Sequence, residues 1–357
     1  MRKFFKIVAF IMAFTFIPLS FGCKEKGSVI DAYFFHTGVH IETHDFDITK
    51  STETKLFSLF RSLESEFDIN DKNSFTHRFN NANTNDTFTL SENGAEIFNT
   101  AIECFEFSNG LFNPTVYTLA ELWQFAPTFP VKNFTPPTNQ QIEVALNNVD
   151  FNGLVFNYTE RTVQKLNPNA KLDLGGIVKG YAAEQAGKIL LSAGHSSGYV
   201  NVGGSSLHLL SVNTLGISHP RSNGTILTVN AKNLKGVSVS TSGDYEKFYS
   251  LDGVRYSHII NPFTGKPSTT NVCSVTIIGV GGAFSDAITT ASCLKEYDIT
   301  NLEGSQLIVF LRSIISQNAG CSVYAVYDDG QTRQIITNKI KGEHFTLNDN
   351  SYTVIGI

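Results

Sequence analysis

Leu172-Asp173-Leu174-Gly175-Gly176-Ile177-Val178-Lys179-Gly180-Tyr181 is the stretch on which the reading of this chain turns. It gathers one carboxylate, three glycines and one lysine at the entry to a helix expected to run to Ser192 and stop at Gly194. Glycines let a ligand approach the backbone closely, and a helix N-terminus offers unpaired N–H groups to an anion. A Gly-rich turn before a helix is common in itself, so its meaning depends on what surrounds it.

Upstream, Leu56, Leu59, Phe60, Leu63 and Phe67 recur at helical spacing, which predicts an amphipathic helix over 52–67. Ser91 caps a second helix with Ile97, Phe98, Ala101, Ile102 and Phe105 on one face, ended by Asn109-Gly110. Residues 28–44 alternate as one strand entering the domain, while 75–89 are polar and read as a loop with at most short extended pieces. Thr138 with Gln141 makes a capping box for a short helix to about Asn147. Downstream, a hairpin is expected over 154–166 and strands over 199–210, 225–230, 237–240 and 272–280. Helices over 286–295 and 302–315 precede strands over 322–327, 334–337 and 351–357. Strands outnumber alternating β-α units and no segment repeats, so the expected class is α+β, with mixed or antiparallel sheets packed against helices.

Composition narrows the function. Of 357 residues 41% are hydrophobic and 17% charged, which describes a folded globular chain and not a disordered one. A net charge of −5 argues against nucleic-acid binding, which needs a basic face. Phe is abundant at 29 residues beside a single Trp, so the core should be aromatic-rich. At the N-terminus, Arg2, Lys3 and Lys6 precede an apolar run over 7–19, then Gly22-Cys23 and the polar Lys24-Glu25-Lys26. This pattern predicts a lipoprotein signal peptide over 1–22, lipidation of Cys23, a tether over 23–30 and an exported domain over 31–357. Cys104, Cys273, Cys293 and Cys321 fit no metal-binding spacing and read as small buried hydrophobes, with one or two bridges left open by the exported setting.

Four further clusters could carry chemistry. Asn201-Val202-Gly203-Gly204-Ser205 sets a glycine pair inside a strand, either a bulge or a place where ligand meets backbone. Ser240-Thr241-Ser242-Gly243-Asp244-Tyr245 reads as an oxygen-rich loop able to bond phosphates, or as a locally capped turn. Tyr256-Ser257-His258-Ile259-Ile260-Asn261-Pro262 holds a histidine that could be a base, a ligand contact or an ordinary buried hydrogen-bonder. In Ser285-Asp286-Ala287-Ile288-Thr289-Thr290, Asp286 and Thr290 share one helix face. That oxygen pair suits Mg²⁺, or else Asp286 is a first-turn charge favoured by the helix dipole.

The order of these clusters resembles the FAD:protein FMN transferase family from about Asp31 to Asp329, and Gly110-Leu111-Phe112-Asn113-Pro114-Thr115 resembles its upstream segment. The resemblance implies a single flavin-transferase-type domain. It implies a Mg²⁺ site at the Gly176 carbonyl, the Asp286 carboxylate and the Thr290 hydroxyl. It places FAD contacts at Phe67, Leu111, Phe112, Asn113, Asp173, Lys179, Ile260 and Thr289. Three departures from the family pattern stand out: His36-Thr37-Gly38 in place of Met-Gly-Thr, Phe67 where a tyrosine is frequent, and Asn113 in place of an aspartate. The implied reaction is Mg²⁺-dependent transfer of FMN from FAD to a Thr or Ser hydroxyl of an exported acceptor, such as a membrane redox-complex subunit, with release of AMP. Asp286 and His258 are then the catalytic candidates, with His258 helping to deprotonate the hydroxyl. FAD hydrolysis to FMN and AMP, a flavin-storing lipoprotein and a structural or adhesive lipoprotein are the competing readings.

Overall fold

The computed structural model describes residues 27–357; the signal sequence and Cys23 lie outside the described residues. The chain enters through a hairpin of β1 (Val29–Phe34) and β2 (Thr37–Thr43), where one strand was expected. The turn is possible because Phe35 and His36 adopt φ of 55° and 56°, a conformation with no signature in their side chains. The first strand thus starts two residues inside the stretch read as a tether. Next come α1 (Lys50–Phe67), α2 (Phe75–Asn80), β3 (Thr87–Thr89) and α3 (Glu92–Phe107). The supposed loop over 75–89 therefore holds a helix and a strand. Ser74 caps α2 by accepting the His77 N–H at 2.9 Å, and Phe75 and Phe79 bury its inner side, but one and a half turns are too short to declare a period.

A 3-10 turn (Pro114–Val116) runs into α4 (Tyr117–Leu122), followed by α5 (Asn139–Leu146) and the hairpin β4 (Leu154–Asn157) and β5 (Thr162–Lys165). Then α6 (Gly175–Ser192) leads to β6 (Gly198–Val202), β7 (Ser206–Ser211), β8 (Thr214–Ser218), β9 (Thr225–Asn230) and β10 (Lys235–Gly243). Gly203 and Gly204, at φ of 70° and 80°, turn the chain between β6 and β7; they are a hairpin connection and not a bulge within one strand. The hairpin β11 (Phe248–Leu251) and β12 (Val254–Ser257) precedes β13 (Val272–Ile278), α7 (Gly282–Ser292) and α8 (Gln306–Gln317). The chain ends in β14 (Ser322–Asp328), β15 (Arg333–Thr337), β16 (Phe345–Leu347) and β17 (Thr353–Gly356).

The main sheet has the order β1-β2-β6-β7-β10-β13-β14-β15-β17, antiparallel except for the last pair. Both of its faces are covered. Val200, Val202, Val275, Ile277, Val323 and Ala325 point into one core with α1, α3, α6, α7 and α8. Their neighbours Tyr199, Leu207, Leu209, Val239, Tyr324 and Val326 point into a second core closed by the small sheet β16-β9-β8. Fully burying one such aliphatic side chain is worth about 1.5–3 kcal/mol, so the two layers carry the architecture. The expected α+β class with largely antiparallel sheets is the one observed. The aromatic core is real as well: Phe75, Phe79, Phe88, Phe98, Phe151 and Phe156 pack ring against ring between the first helices and the sheet β3-β5-β4. Cys104, Cys273, Cys293 and Cys321 are all buried free thiols.

A polar stripe crosses the helix-facing side of β7 and β10. The register sets Ser206 opposite Ser240 and His208 opposite Ser238, and Ser242 continues the alternation. Slipping the register by one residue would turn these groups into the apolar layer, at roughly 1–3 kcal/mol for each unpaired polar group. His208 sits beneath Gly187, where a Cβ would lie 2.0 Å from its ring, and is 3% exposed. Its Nδ1 is 3.1 Å from the Ser238 hydroxyl, while Nε2 is buried with no hydrogen-bond partner among the described residues. Burial pushes its pKa down, helped by Lys188 and opposed by Glu184. The unfolded chain therefore takes up a proton near the ordinary histidine pKa that the folded chain refuses. Stability is lost as pH falls through that value, by up to about 1.4 kcal/mol per pH unit. Urea midpoints measured at pH 7 and pH 5 should fall less for His208→Gln than for wild type; parallel falls would remove His208 as the cause.

Candidate active site

Helices α6 and α7 lie side by side on the polar stripe, and the residues singled out in both motifs meet there. Leu172 and Leu174 are fully buried and anchor the approach to α6, whereas Gly175 and Gly176 are exposed at its first turn. Asp173 holds this entry: its N–H donates to Pro114 O at 2.8 Å and its Oδ1 accepts the Gly175 N–H at 2.7 Å. Lys179 turns back along the helix, its Nζ donating to Gly175 O at 2.6 Å. The Phe112 ring lies 3.5 Å from the place a Cβ on Gly176 would occupy, which keeps that turn bare on one side and walled on the other.

Asp286 is 6% exposed. Its Oδ2 accepts the Gly180 N–H at 2.7 Å, and the Ser206 hydroxyl lies 2.8 Å from Oδ1 and 3.0 Å from Oδ2. In a regular α-helix the Gly180 N–H points toward the Gly176 carbonyl; here it donates to the Asp286 carboxylate. Burial raises the Asp286 pKa, against the pull of the Lys179 charge and of its hydrogen bonds from Ser206 and Gly180. Helix α7 begins at Gly282 and not at Asp286, so Asp286 lies beyond the first turn and is not a dipole-favoured terminal charge. Thr289 and Thr290 donate to the Asp286 carbonyl at 2.9 and 3.2 Å, and the Ser242 hydroxyl lies 2.9 and 3.0 Å from theirs. Thr290 keeps some solvent exposure, whereas Thr289 is fully buried.

Ser240 to Ser242 belong to β10 and not to a loop, and Asp244 after them is held by Arg221 through two bonds of 2.7 Å. Asp244 therefore fixes the turn into β11. Beyond it, Glu246 and Lys247 are exposed to solvent, and the ring Nδ1 of His258 is 3.1 Å from Lys247 O. A carbonyl only accepts, so Nδ1 carries the proton and Nε2 is the basic nitrogen. Burial, with the cations of Lys247 and Lys179, holds the His258 pKa down to about 3. Protein packed around Glu246 raises its carboxyl and that around Lys247 lowers its ammonium, though surrounding water dilutes both effects. The Lys179 charge acts on Asp286, Glu246, Lys247 and His258 alike, lowering the carboxyl pKa values and opposing the charge on Lys247 and His258.

The remaining expected contacts are engaged in packing and capping. Phe67 closes the end of α1 against Phe75, and Leu111 packs at the edge of the large core. The Asn113 side chain is engaged in capping, accepting from the Thr115 N–H at 2.9 Å and its hydroxyl at 2.6 Å. Ile260 is buried in a third cluster with Trp123, Phe125 and Tyr249, and Trp123 Nε1 donates to Gly265 O at 2.7 Å. Sequence reasoning assigned no part to Ser206, Lys247 or Glu184. Ser206 and Lys247 sat inside or beside quoted motifs, but only the register and the hairpin bring them to Asp286 and His258.

Among the described residues no three His, Cys, Asp or Glu side chains gather as a metal cluster. The oxygen set around Asp286, one carboxylate with neighbouring hydroxyls, is of the kind that suits a hard cation such as Mg²⁺. Among the described residues no cationic side chain bonds this buried carboxylate directly, which is the local charge imbalance such an ion would relieve.

An α+β scaffold of largely antiparallel sheets packed against helices is also the architecture of solved flavin transferases. The ApbE protein from Thermotoga maritima is 27% identical and superposes with a TM-score of 0.71 over 85% of this chain and 94% of that one. The flavin transferase ApbE from Vibrio cholerae, at 21% identity, shares the fold with a TM-score of 0.74 over 87% of this chain and 97% of its own. Residues 35–303 match the model of the ApbE family, and the chain belongs to that family. It is a transferase, similar to proteins named FAD:protein FMN transferase. The one from Vibrio cholerae is 26% identical over 78% of this chain and 83% of that protein, and the one from Escherichia coli K12 is 30% identical over 68% and 70%.

Proposed function

We propose that this protein transfers the FMN moiety of FAD to a Thr or Ser hydroxyl of an exported acceptor protein, with Mg²⁺ and with release of AMP. The observation that supports the reading is the bond between Asp286 and the Gly180 amide, which sets a buried carboxylate beside the glycine-rich first turns of α6, where an anion would find free N–H groups. The bare first turn at Gly175 and Gly176 with Lys179 would receive the pyrophosphate, and Phe112 and Ile260 would contribute apolar wall. Asp286, Thr290 and the Gly176 carbonyl would hold Mg²⁺, which supplies charge neutralisation at the phosphates.

The acceptor oxygen forms a bond to the FMN-side phosphorus as the bond from that phosphorus to the bridging oxygen breaks, and the bridging oxygen leaves with AMP. The hydroxyl proton passes to Nε2 of His258, whose tautomer is fixed by Lys247 O. Lys179 and the amides of the first turn of α6 counter the negative charge that shifts toward the leaving group. The N-terminal sequence supports an exported, lipid-anchored location, and a membrane redox-complex subunit is the kind of acceptor that would meet it there.

The test is to incubate the protein with FAD, Mg²⁺ and a candidate exported acceptor and to weigh the acceptor by mass spectrometry. A covalent FMN increment with AMP in solution is expected. Free FMN with an unmodified acceptor would replace transfer by hydrolysis, and unchanged FAD would reject both.

A further inference from the structure

Helix α7 starts without a cap of its own. Gly281 stands at its N-cap position, and no side-chain bond within that turn closes it. The Gly282 N–H donates instead to Oε2 of Glu184 on α6, 2.6 Å away. In the other direction the Gly180 N–H on α6 donates to Asp286 on α7. Each helix thus gives one backbone amide to a carboxylate of the other. Between these two bonds the backbones are in contact: a Cβ on Gly180 would lie 2.1 Å from the Gly282 carbonyl oxygen, and a Cβ on Gly282 2.2 Å from that of Gly180. Neither position admits a side chain without moving a helix, so the pair has one close docking and two carboxylates that hold it there.

We propose that Glu184 is a positioning residue: by capping α7 from α6 it fixes the register of the two helices and holds Asp286 and Thr290 opposite Gly176. Its effect on activity rests on the function proposed above, while the clasp itself does not. Glu184 does not reach the reacting groups. It opens on a separate hollow with Tyr181, Lys188 and Phe284, whose lining includes neither Asp286 nor Thr290. Its second oxygen is 2.9 Å from Lys188 Nζ, an ion pair on the solvent side that the clasp does not need.

Hydrogen exchange and Mg²⁺ titration together test this. Removing a helix cap shifts the local opening equilibrium by about fivefold. In Glu184→Ala, amides at the start of α7 should exchange about fivefold faster, and the Mg²⁺ concentration for half-maximal AMP release should rise by a similar factor, about fivefold. FAD binding without metal should change by less than about twofold, the spread expected when no direct contact is lost. Glu184→Gln keeps an acceptor oxygen for the Gly282 N–H and should restore both quantities, and Lys188→Ala should leave both at wild-type values. Unchanged exchange in Glu184→Ala overturns the clasp. Faster exchange with an unchanged Mg²⁺ requirement overturns the positioning role. If wild type releases AMP without Mg²⁺, the metal reading fails; a drop in kcat for Glu184→Ala rescued by Gln then still supports positioning, and no drop overturns it. If wild type releases no AMP, the proposed function fails and exchange alone decides the clasp.

Discussion

Replacing Asp286 by Asn is expected to lower Mg²⁺-dependent AMP release about a thousandfold, the scale of losing a charge-stabilising group at a phosphoryl-transfer site, while the protein melts higher than wild type. The two effects have one cause. Burial raises the Asp286 pKa, so the protein interior disfavours the charged form of this carboxyl. A carboxyl with a raised folded pKa contributes stability below its unfolded pKa and loses it as pH rises through the folded one, so near neutrality the charge is a cost. Asn removes the charge and keeps an oxygen for the Gly180 N–H or the Ser206 hydroxyl. Asp286→Ala should be equally inactive but should not gain stability, because the Ser206 hydroxyl is then left without its partner at about 1–3 kcal/mol. Differential scanning calorimetry and chromatographic assay of AMP check both. Substantial activity in Asp286→Asn would remove the carboxylate from the mechanism, and a lower melting temperature for Asn than for wild type would contradict the electrostatic account.

What the sequence exposed and what it hid at this site follow physical lines. The helix α6 was legible because its signals are local: a glycine-rich entry, an apolar run and a stop at Gly194, which takes φ of 96°. The shared face of Asp286 and Thr290 was legible from helical spacing alone. The start of α7 was not, because its cap is a side chain nearly a hundred residues away (|i−j| = 98) and Gly281 contributes no signal. Ser206 became a partner of Asp286 only through the pairing of β7 with β10, and Ser242 lay between Thr289 and Thr290 only because β10 extends to Gly243. The hairpin β11–β12, which delivers Lys247 O to His258, turns at Asp252-Gly253, where the outer residues carry too little alternation to announce it. Motif order found the residues; register and helix docking decided which atoms meet.

His258→Ala should cut FMN transfer by roughly a hundredfold to ten-thousandfold, the range for a general base, with FAD affinity little changed. The pH dependence distinguishes a base from a wall residue. In the free protein the packing around the half-buried His258 and the charges of Lys247 and Lys179 hold its pKa well below the ordinary histidine value, although solvent at the ring dilutes the effect. Its Nε2 is therefore already unprotonated when FAD arrives, and kcat/KM should stay flat from neutral pH down to the acid limit of the folded state. Once an anionic pyrophosphate lies beside Lys179 and Lys247, their repulsion of an imidazolium is offset and the His258 pKa rises. The acid limb of kcat, which reports the bound complex, should then lie at higher pH than that of kcat/KM and should disappear in His258→Ala. The upward shift also makes the histidine a stronger base only when substrate is present. An acid limb of kcat that survives in His258→Ala, or that lies below the limb of kcat/KM, would assign the proton to another group, with Glu246, beside Lys247 in the chain, the next candidate.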